Sequence, residues 1–206
     1  MTKHLLLIGF SCTGKTGLGR SVFGDERIID SDDSILAWIG RAKGTKVDHI
    51  YELYMSAGRE QATHWIEEAE EALIDTWAAD SQKKIISLGP GFPLRVNWSR
   101  LRAAGEVVLF RLDPDAIYDR LTARRDAIFA ECPEAAKHDT WDVGVMVDEN
   151  RNKYSRADAV ANITRLLTER EGYYKNADHE MSTENKIEAE RKLRDIGKAT
   201  GFLGAR

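Results

Sequence analysis

Residues Gly9 to Thr16, read as Gly-Phe-Ser-Cys-Thr-Gly-Lys-Thr, fit the spacing G-x-x-x-x-G-K-[ST]. The chemistry this spacing serves is the holding of a polyphosphate. Gly9 and Gly14 let the chain wrap closely, so that successive backbone N–H groups point inward at phosphate oxygens. Lys15 then reaches the β and γ phosphates, and the Thr16 hydroxyl can bind Mg²⁺. A helix opening near Lys15 adds its positive end. Ser11, Cys12, Thr13 and Gly17 complete the stretch expected to touch nucleotide, with Cys12 a small filler. The apolar run before the motif and the helical pattern after it supply the strand–loop–helix setting that such a loop needs. A phosphate loop alone implies a bound nucleoside triphosphate. It does not separate kinases from GTPases, motor ATPases or sensors.

The acceptor side is read from "RIIDSDDSI", which places Asp30 and Asp32 at the end of a strand. Residues i and i+2 of an extended segment share a face, so both carboxylates are expected to project into one cleft. One can help hold Mg²⁺, and the other can accept a hydroxyl proton or orient the attacking oxygen. The alternative is that Asp32 or Asp33 simply caps the next helix.

These groups need a scaffold. Short apolar runs at 4–10, 27–32, 84–89 and 106–113 read as buried strands, with 177–183 a weaker fifth. Continuous rather than alternating apolar runs suit a parallel sheet covered on both faces. Helical patterns lie at 15–23, 58–79, 93–103, 114–130, 157–170 and 183–198, with Asp113 and Pro114 as a start signal. Alternating strands and helices argue a doubly wound α/β fold of five parallel strands flanked by helices. With 206 residues, one domain with an insertion is expected. The long polar segment from about 124 to 160 is a surface loop or an enlarged lid.

Composition narrows the partners. The net charge of −4 argues against a nucleic-acid partner, which asks for a basic footprint. Cys12 and Cys132 make no disulfide framework, and no apolar stretch approaches the ~20 residues of a membrane span. A cytoplasmic protein with a small-molecule substrate and no membrane partner is expected. The histidines show no metal-ligand spacing with the cysteines.

Taken in order, these segments resemble the shikimate kinase family. "GFSCTGKTGLGR" is similar to its phosphate loop and first helix, and "DSDDSI" to its D-x-D segment. "IYELYMSAGREQATHWIEEAEEAL" resembles the stretch leading through a Gly-Glu pair into a long helix. "IISLGPGFPL" looks like the strand ending in a triple-glycine loop, and "VVLFRLDPDAIYDRL" like the strand and helix before the lid. "LLTEREGYYKNADHEMST" resembles the L-L-x-x-R-x-x-x-Y-x-x-x-A-D segment after it. The resemblance implies a P-loop NTPase fold and ATP- and Mg²⁺-dependent transfer of a γ-phosphate to a hydroxyl of a small polyhydroxy acid. It assigns Asp32 to the acceptor hydroxyl, Asp30 and Thr16 to the metal, and Arg170 to the acceptor's carboxylate or to charge developing in transfer. Gly89 and Gly91 would flank the acceptor, and Arg124 or Arg125 would meet ATP at the start of the lid.

Three departures fall on the acceptor side. The family's Gly-Glu-x-x-Phe-Arg stretch supplies an arginine that grips the substrate carboxylate, whereas Gly58-Arg59-Glu60-Gln61-Ala62-Thr63-His64 places none there. Arg59, one turn earlier, is the substitute. The middle glycine of the triple-glycine loop is Pro90, which has no N–H to offer. The lid is longer and lacks Arg-Pro-Leu-Leu. A second match to the post-lid motif occurs at 149–158, and 169–178 is preferred because "LLTER" precedes it. Three readings follow: a kinase acting on shikimate, a P-loop kinase for a gluconate-like acid or nucleoside, and a nucleotide-binding regulatory protein without turnover.

Overall fold

The computed structural model describes residues 4–131, 145–148, 150 and 152–204. The run that precedes the phosphate loop forms β1 (His4–Gly9), and every one of its residues is buried. Burial on both sides follows from its place in the sheet. Five strands, β1 with β2 (Ile28–Asp30), β3 (Ile85–Ser87), β4 (Gly105–Arg111) and β5 (His179–Ser182), pair in the order β2-β3-β1-β4-β5. All four pairings are parallel.

Side chains alternate across a strand, and β1 divides its residues accordingly. Leu6 and Ile8 enter one core with Ile35 and Ile39 of α2 (Ser31–Lys43), Ile66 and Leu73 of α4 (Arg59–Ala79) and Leu101 of α6 (Trp98–Ala104). Leu5 and Leu7 enter the other with Leu18 and Val22 of α1 (Lys15–Phe23) and Leu193 and Ile196 of α9 (Lys186–Ala199). A third, smaller core joins Phe10 and Leu112 to Ile117 and Leu121 of α7 (Pro114–Glu131), to Met146 and Val147, and to Ala159 and Ile163 of α8 (Arg156–Tyr174).

The doubly wound P-loop NTPase fold is as expected, including the fifth strand. Several boundaries differ for local reasons. The expected second strand stops at Asp30, because Asp30 caps α2 and the chain turns helical at Ser31. The helix expected over 93–103 is two, α5 (Phe92–Arg95) and α6, broken where Asn97 takes an extended conformation and accepts the Ser99 N–H at 2.8 Å. The tail helix starts at Lys186 because Asn185 caps it. Asp113 accepts the Asp115 N–H at 2.9 Å and starts α7 as its sequence suggests. Helix α2 is the next helix that the capping alternative implies, with Asp30 rather than Asp32 or Asp33 as its cap, and the short α3 (Ile50–Ala57) has no counterpart among the expected helices.

The segment expected as a lid is described only at its flanks. Cys132, Pro133, His138 and Gly144 lie outside the described residues. Val147 bridges antiparallel to Lys153, and Ser155 caps α8 by accepting the Asp158 N–H. Arg156 then pairs with Asp115 and Asp119 of α7 and lies over the Tyr118 ring. Among the described residues, no helix is long and apolar enough to cross a membrane.

Candidate active site

In an open parallel sheet the ligand crevice opens where connections from neighbouring strands leave in opposite directions, at the carboxyl ends of the strands. Here that point lies between β1 and β3, and the chain leaves β1 as residues 9–14 and β3 as residues 88–91.

The residues after β1 form a tight cradle. Gly9 has φ +146°, and a Cβ there would lie 2.5 Å from the Phe110 carbonyl oxygen. Gly14 takes the left-handed conformation at the start of α1. Thr13 is buried and donates its hydroxyl to the Phe10 carbonyl at 2.9 Å. Lys15 donates to the Gly9 and Phe10 carbonyls at 3.1 and 2.9 Å, so its ammonium sits over the cradle. Burial pushes that ammonium down to about 8, while Asp32, Cys12 and Asp30 favour its charge. Cys12 also takes a left-handed φ, +60°, the one such non-glycine among the described residues. Ser11 is half-buried in this turn, and Gly17 is exposed on α1.

Three oxygen groups meet beside the cradle. The Thr16 hydroxyl lies 3.1 Å from Asp30 Oδ2 and 2.8 Å from Ser87 Oγ. A set of two hydroxyls and one carboxylate fits Mg²⁺, a hard cation that keeps several waters and takes one or two carboxylates together with substrate phosphates. Thr16 and Asp30, named from sequence as metal groups, are thus brought together. Ser87 was missed, although a serine ending the apolar run "KIIS" is the signal that could have found it.

Asp32 reaches the cleft by a different route from the one its spacing suggested. It does not share a strand face with Asp30. It stands in the first turn of α2, where its backbone N–H donates to Asp30 Oδ1 at 3.1 Å. Asp30 therefore caps α2 through Oδ1 and turns Oδ2 to the Thr16 hydroxyl. Burial first, and then the charge of Asp30, push the Asp32 carboxyl up to about 6, against the pull of Arg124 and Lys15. A half-buried carboxylate titrating there is suited to accept a proton near neutral pH.

The loop after β3 faces Asp32. A Cβ on Gly89 would lie 3.1 Å from Asp32 Oδ1, and the Gly89 N–H donates to Ser31 Oγ at 2.8 Å. Arg170 lies over the Phe10 ring at 4.8 Å and donates to the Pro90 carbonyl at 3.4 Å, so it spans the loops of β1 and β3. That placement agrees with 169–178 as the post-lid motif. Arg124 exerts its charge on both Asp32 and Lys15, whereas Arg125 lies over the Phe129 ring, one turn on. Arg120 was also missed. It donates to the Cys12 carbonyl at 3.2 Å and reaches the Thr183 carbonyl, closing α7 onto the cradle. Arg59 is exposed on the first turn of α4, in an open depression lined by Glu60, Thr63, His64 and Glu67 that includes neither Asp32 nor residues 89–91.

No family model matches the sequence. Curated relatives do. A shikimate kinase of Pelotomaculum thermopropionicum is 29% identical over 184 residues, 88% of this chain and 86% of the relative. A shikimate kinase of Thermodesulfovibrio yellowstonii is 30% identical over 138 residues, 64% of this chain and 72% of the relative. The chain belongs to the shikimate kinase family. As a member of that family it is a small-molecule kinase. The shikimate kinase fold agrees over nearly the whole chain: the crystal structure of the enzyme from Bacteroides thetaiotaomicron superposes with a TM-score of 0.62, covering 97% of this chain and 98% of that one at 17% identity.

Proposed function

We propose that the protein transfers the γ-phosphate of ATP to a hydroxyl of a small polyhydroxy acid, with shikimate the leading acceptor. The observation that carries this reading is the juxtaposition of Lys15, Thr16 and Asp30 with Asp32 across one crevice, at the ends of β1, β2 and β3. The backbone of residues 9–16 holds the phosphates, and Lys15 neutralises charge that builds on the transferred group. Thr16 and Asp30, beside Ser87, would hold Mg²⁺, which would supply further charge neutralisation at the phosphates. Asp32 takes the proton of the attacking hydroxyl, which its raised pKa suits.

Arg170 serves the acceptor carboxylate or the developing charge, since its planar fork matches both. Gly89 leaves room for the acceptor beside Asp32, and Gly91 is the second glycine that the resemblance sets at the acceptor. Arg124 is the lid arginine directed at the nucleotide. The chain acts as one kinase domain in which residues from about 124 to 160 form the lid, closing to keep water from the phosphate. Dependence on ATP, and two cysteines that make no disulfide framework, fit a cytoplasmic setting.

A second acceptor class has one specific observation behind it. Thr63, at the place of the family's gripping arginine, donates its hydroxyl to the Arg59 carbonyl instead, and Pro90 offers no amide. A gluconate-like acid or a nucleoside would suit a rebuilt pocket. The test is coupled-assay ADP release with Mg·ATP and shikimate, beside gluconate and a panel of nucleosides. Saturable turnover on shikimate is expected. Turnover on another acceptor only would replace shikimate, and no acceptor-dependent ADP release at all would overturn the reading.

A further inference from the structure

The short helix α5 ends at Arg95, and the side chain folds back over the turn that begins it. Phe92 and Pro93 are buried there, and Phe92 stacks on Trp77 at 5.8 Å, so this turn is fixed to the core. Arg95 donates through Nε and Nη2 to the two carboxylate oxygens of Glu70 on α4. The Glu70 side chain is 2% exposed and that of Arg95 35%. A buried carboxylate left unpaired would cost several kcal/mol, so Glu70 constrains where the guanidinium sits. The other branch of the fork, Nη1, lies against Gly91: a Cβ there would come within 2.3 Å of it. Nη2 and Cζ lie almost as near, at 2.7 and 2.8 Å, so the head of the guanidinium packs on the 89–91 loop, with Nη1 the nitrogen that Glu70 does not bind.

Three functional side chains then follow one another along that loop. Asp32 lies at Gly89, Arg170 at Pro90 and Arg95 at Gly91. Two residues of extended chain span at most about 7 Å. A proton acceptor and two guanidinium groups therefore border a stretch of backbone about as long as one small ring acid, which carries a hydroxyl at one end and a carboxylate at the other. Glu70 also lies seven residues beyond Thr63, two turns along the same face of α4.

We propose that Arg95, held by Glu70, is the second guanidinium for the acceptor's carboxylate, serving in place of the arginine absent at position 63 and setting acceptor specificity. This rests on the kinase reading above. An arginine can serve two carboxylates through its two edges. Arg95 fills that role from the β3 side of the crevice rather than from the start of α4, so Arg59 is not needed for it.

The test compares shikimate with its methyl ester, with Mg·ATP saturating, in wild type, Arg95→Gln and Arg95→Lys. Loss of charge-assisted hydrogen bonds is expected to raise KM for the acid about 30-fold in Arg95→Gln. KM for ATP should stay within about twofold, and the preference for acid over ester should collapse, with Arg95→Lys in between. Because Arg95→Gln strands Glu70, the double variant Glu70→Gln/Arg95→Gln, which leaves no buried charge, must show the same collapse. An unchanged KM for shikimate, or equal losses on acid and ester in folded variants, would overturn the inference while leaving the kinase reading intact. A wild-type enzyme idle on every hydroxylated acid would remove both.

Discussion

Cys12 offers a test of the cradle's geometry that needs no substrate. Its φ of +60° places a side-chain-bearing residue in a conformation that costs an L-residue about 1–2 kcal/mol. The Cys12→Ala variant removes the thiol but keeps the Cβ, and with it the strain. Cys12→Gly removes both. Glycine loses more backbone entropy on folding, by about 0.5–1 kcal/mol, which makes alanine the more stable residue at most positions. At position 12 the order should invert, with glycine ahead by about 0.5–1 kcal/mol. For a domain of this size that is about 2–4 °C in Tm for each kcal/mol. Comparing the two variants with each other, rather than with wild type, cancels the contact that the sulfur makes with the third core. The assay is thermal unfolding by circular dichroism in nucleotide-free buffer. An alanine variant as stable as the glycine variant, or more so, would refute the left-handed turn and the loop shape built on it.

Three further outcomes follow from the site. Lys15→Ala should cut turnover severely with the circular dichroism spectrum unchanged, and equal turnover would overturn the assignment of residues 9–16. For pH, Asp32 must be ionised and Lys15 protonated, so kcat/KM should fall below about pH 6 and above about pH 8, as a plot against pH would show. The folded pKa of Asp32 lies above its unfolded value of 3.8, so folding loses stability as pH rises from about 4 to 6 and carries the full cost above that. Asp32→Asn should therefore stabilise the fold at pH 7.5 by about 1–2 kcal/mol, discounted for solvent at a half-buried site, while abolishing transfer. A lower Tm for that variant would contradict the burial argument.

How much of this was legible depends on how local each feature is. The cradle is written in eight consecutive residues, since its glycines, Lys15 and Thr16 act on one ligand from one turn. Asp30 and Asp32 do meet, but not as their spacing suggests: their convergence comes from a capped helix start, because the Asp30 carboxylate bonds the Asp32 N–H, and not from a shared strand face. Ser87 has a signal of its own, at the end of "KIIS", but its partner Thr16, 71 positions away, follows only from the strand order, and Arg120 meets Cys12, 108 positions away, only through the packing of α7. Helix α2 is legible only as the helix that an aspartate would cap, because its buried face is marked by no more than Ile35, Leu36 and Ile39 besides Ser31. Arg59 was chosen by nearness in sequence to position 63. Glu70 and Arg95 are 25 residues apart, and only the packing of α5 against α4 pairs them.

Phe10 belongs at once to the cradle and to the small core that α7 and α8 build with Met146 and Val147. Its ring also carries Arg170 on its face. The loop that grips a ligand and the pair of helices flanking the 132–155 segment therefore share one hydrophobic contact set. Free-energy coupling between two such elements is reciprocal. Any coupling through Phe10 then acts equally in both directions, and loosening Ile117 or Ile163 is expected to weaken phosphate binding without touching it. Substitutions in this remote core would then act as affinity dials for the nucleotide, graded by how much packing they remove.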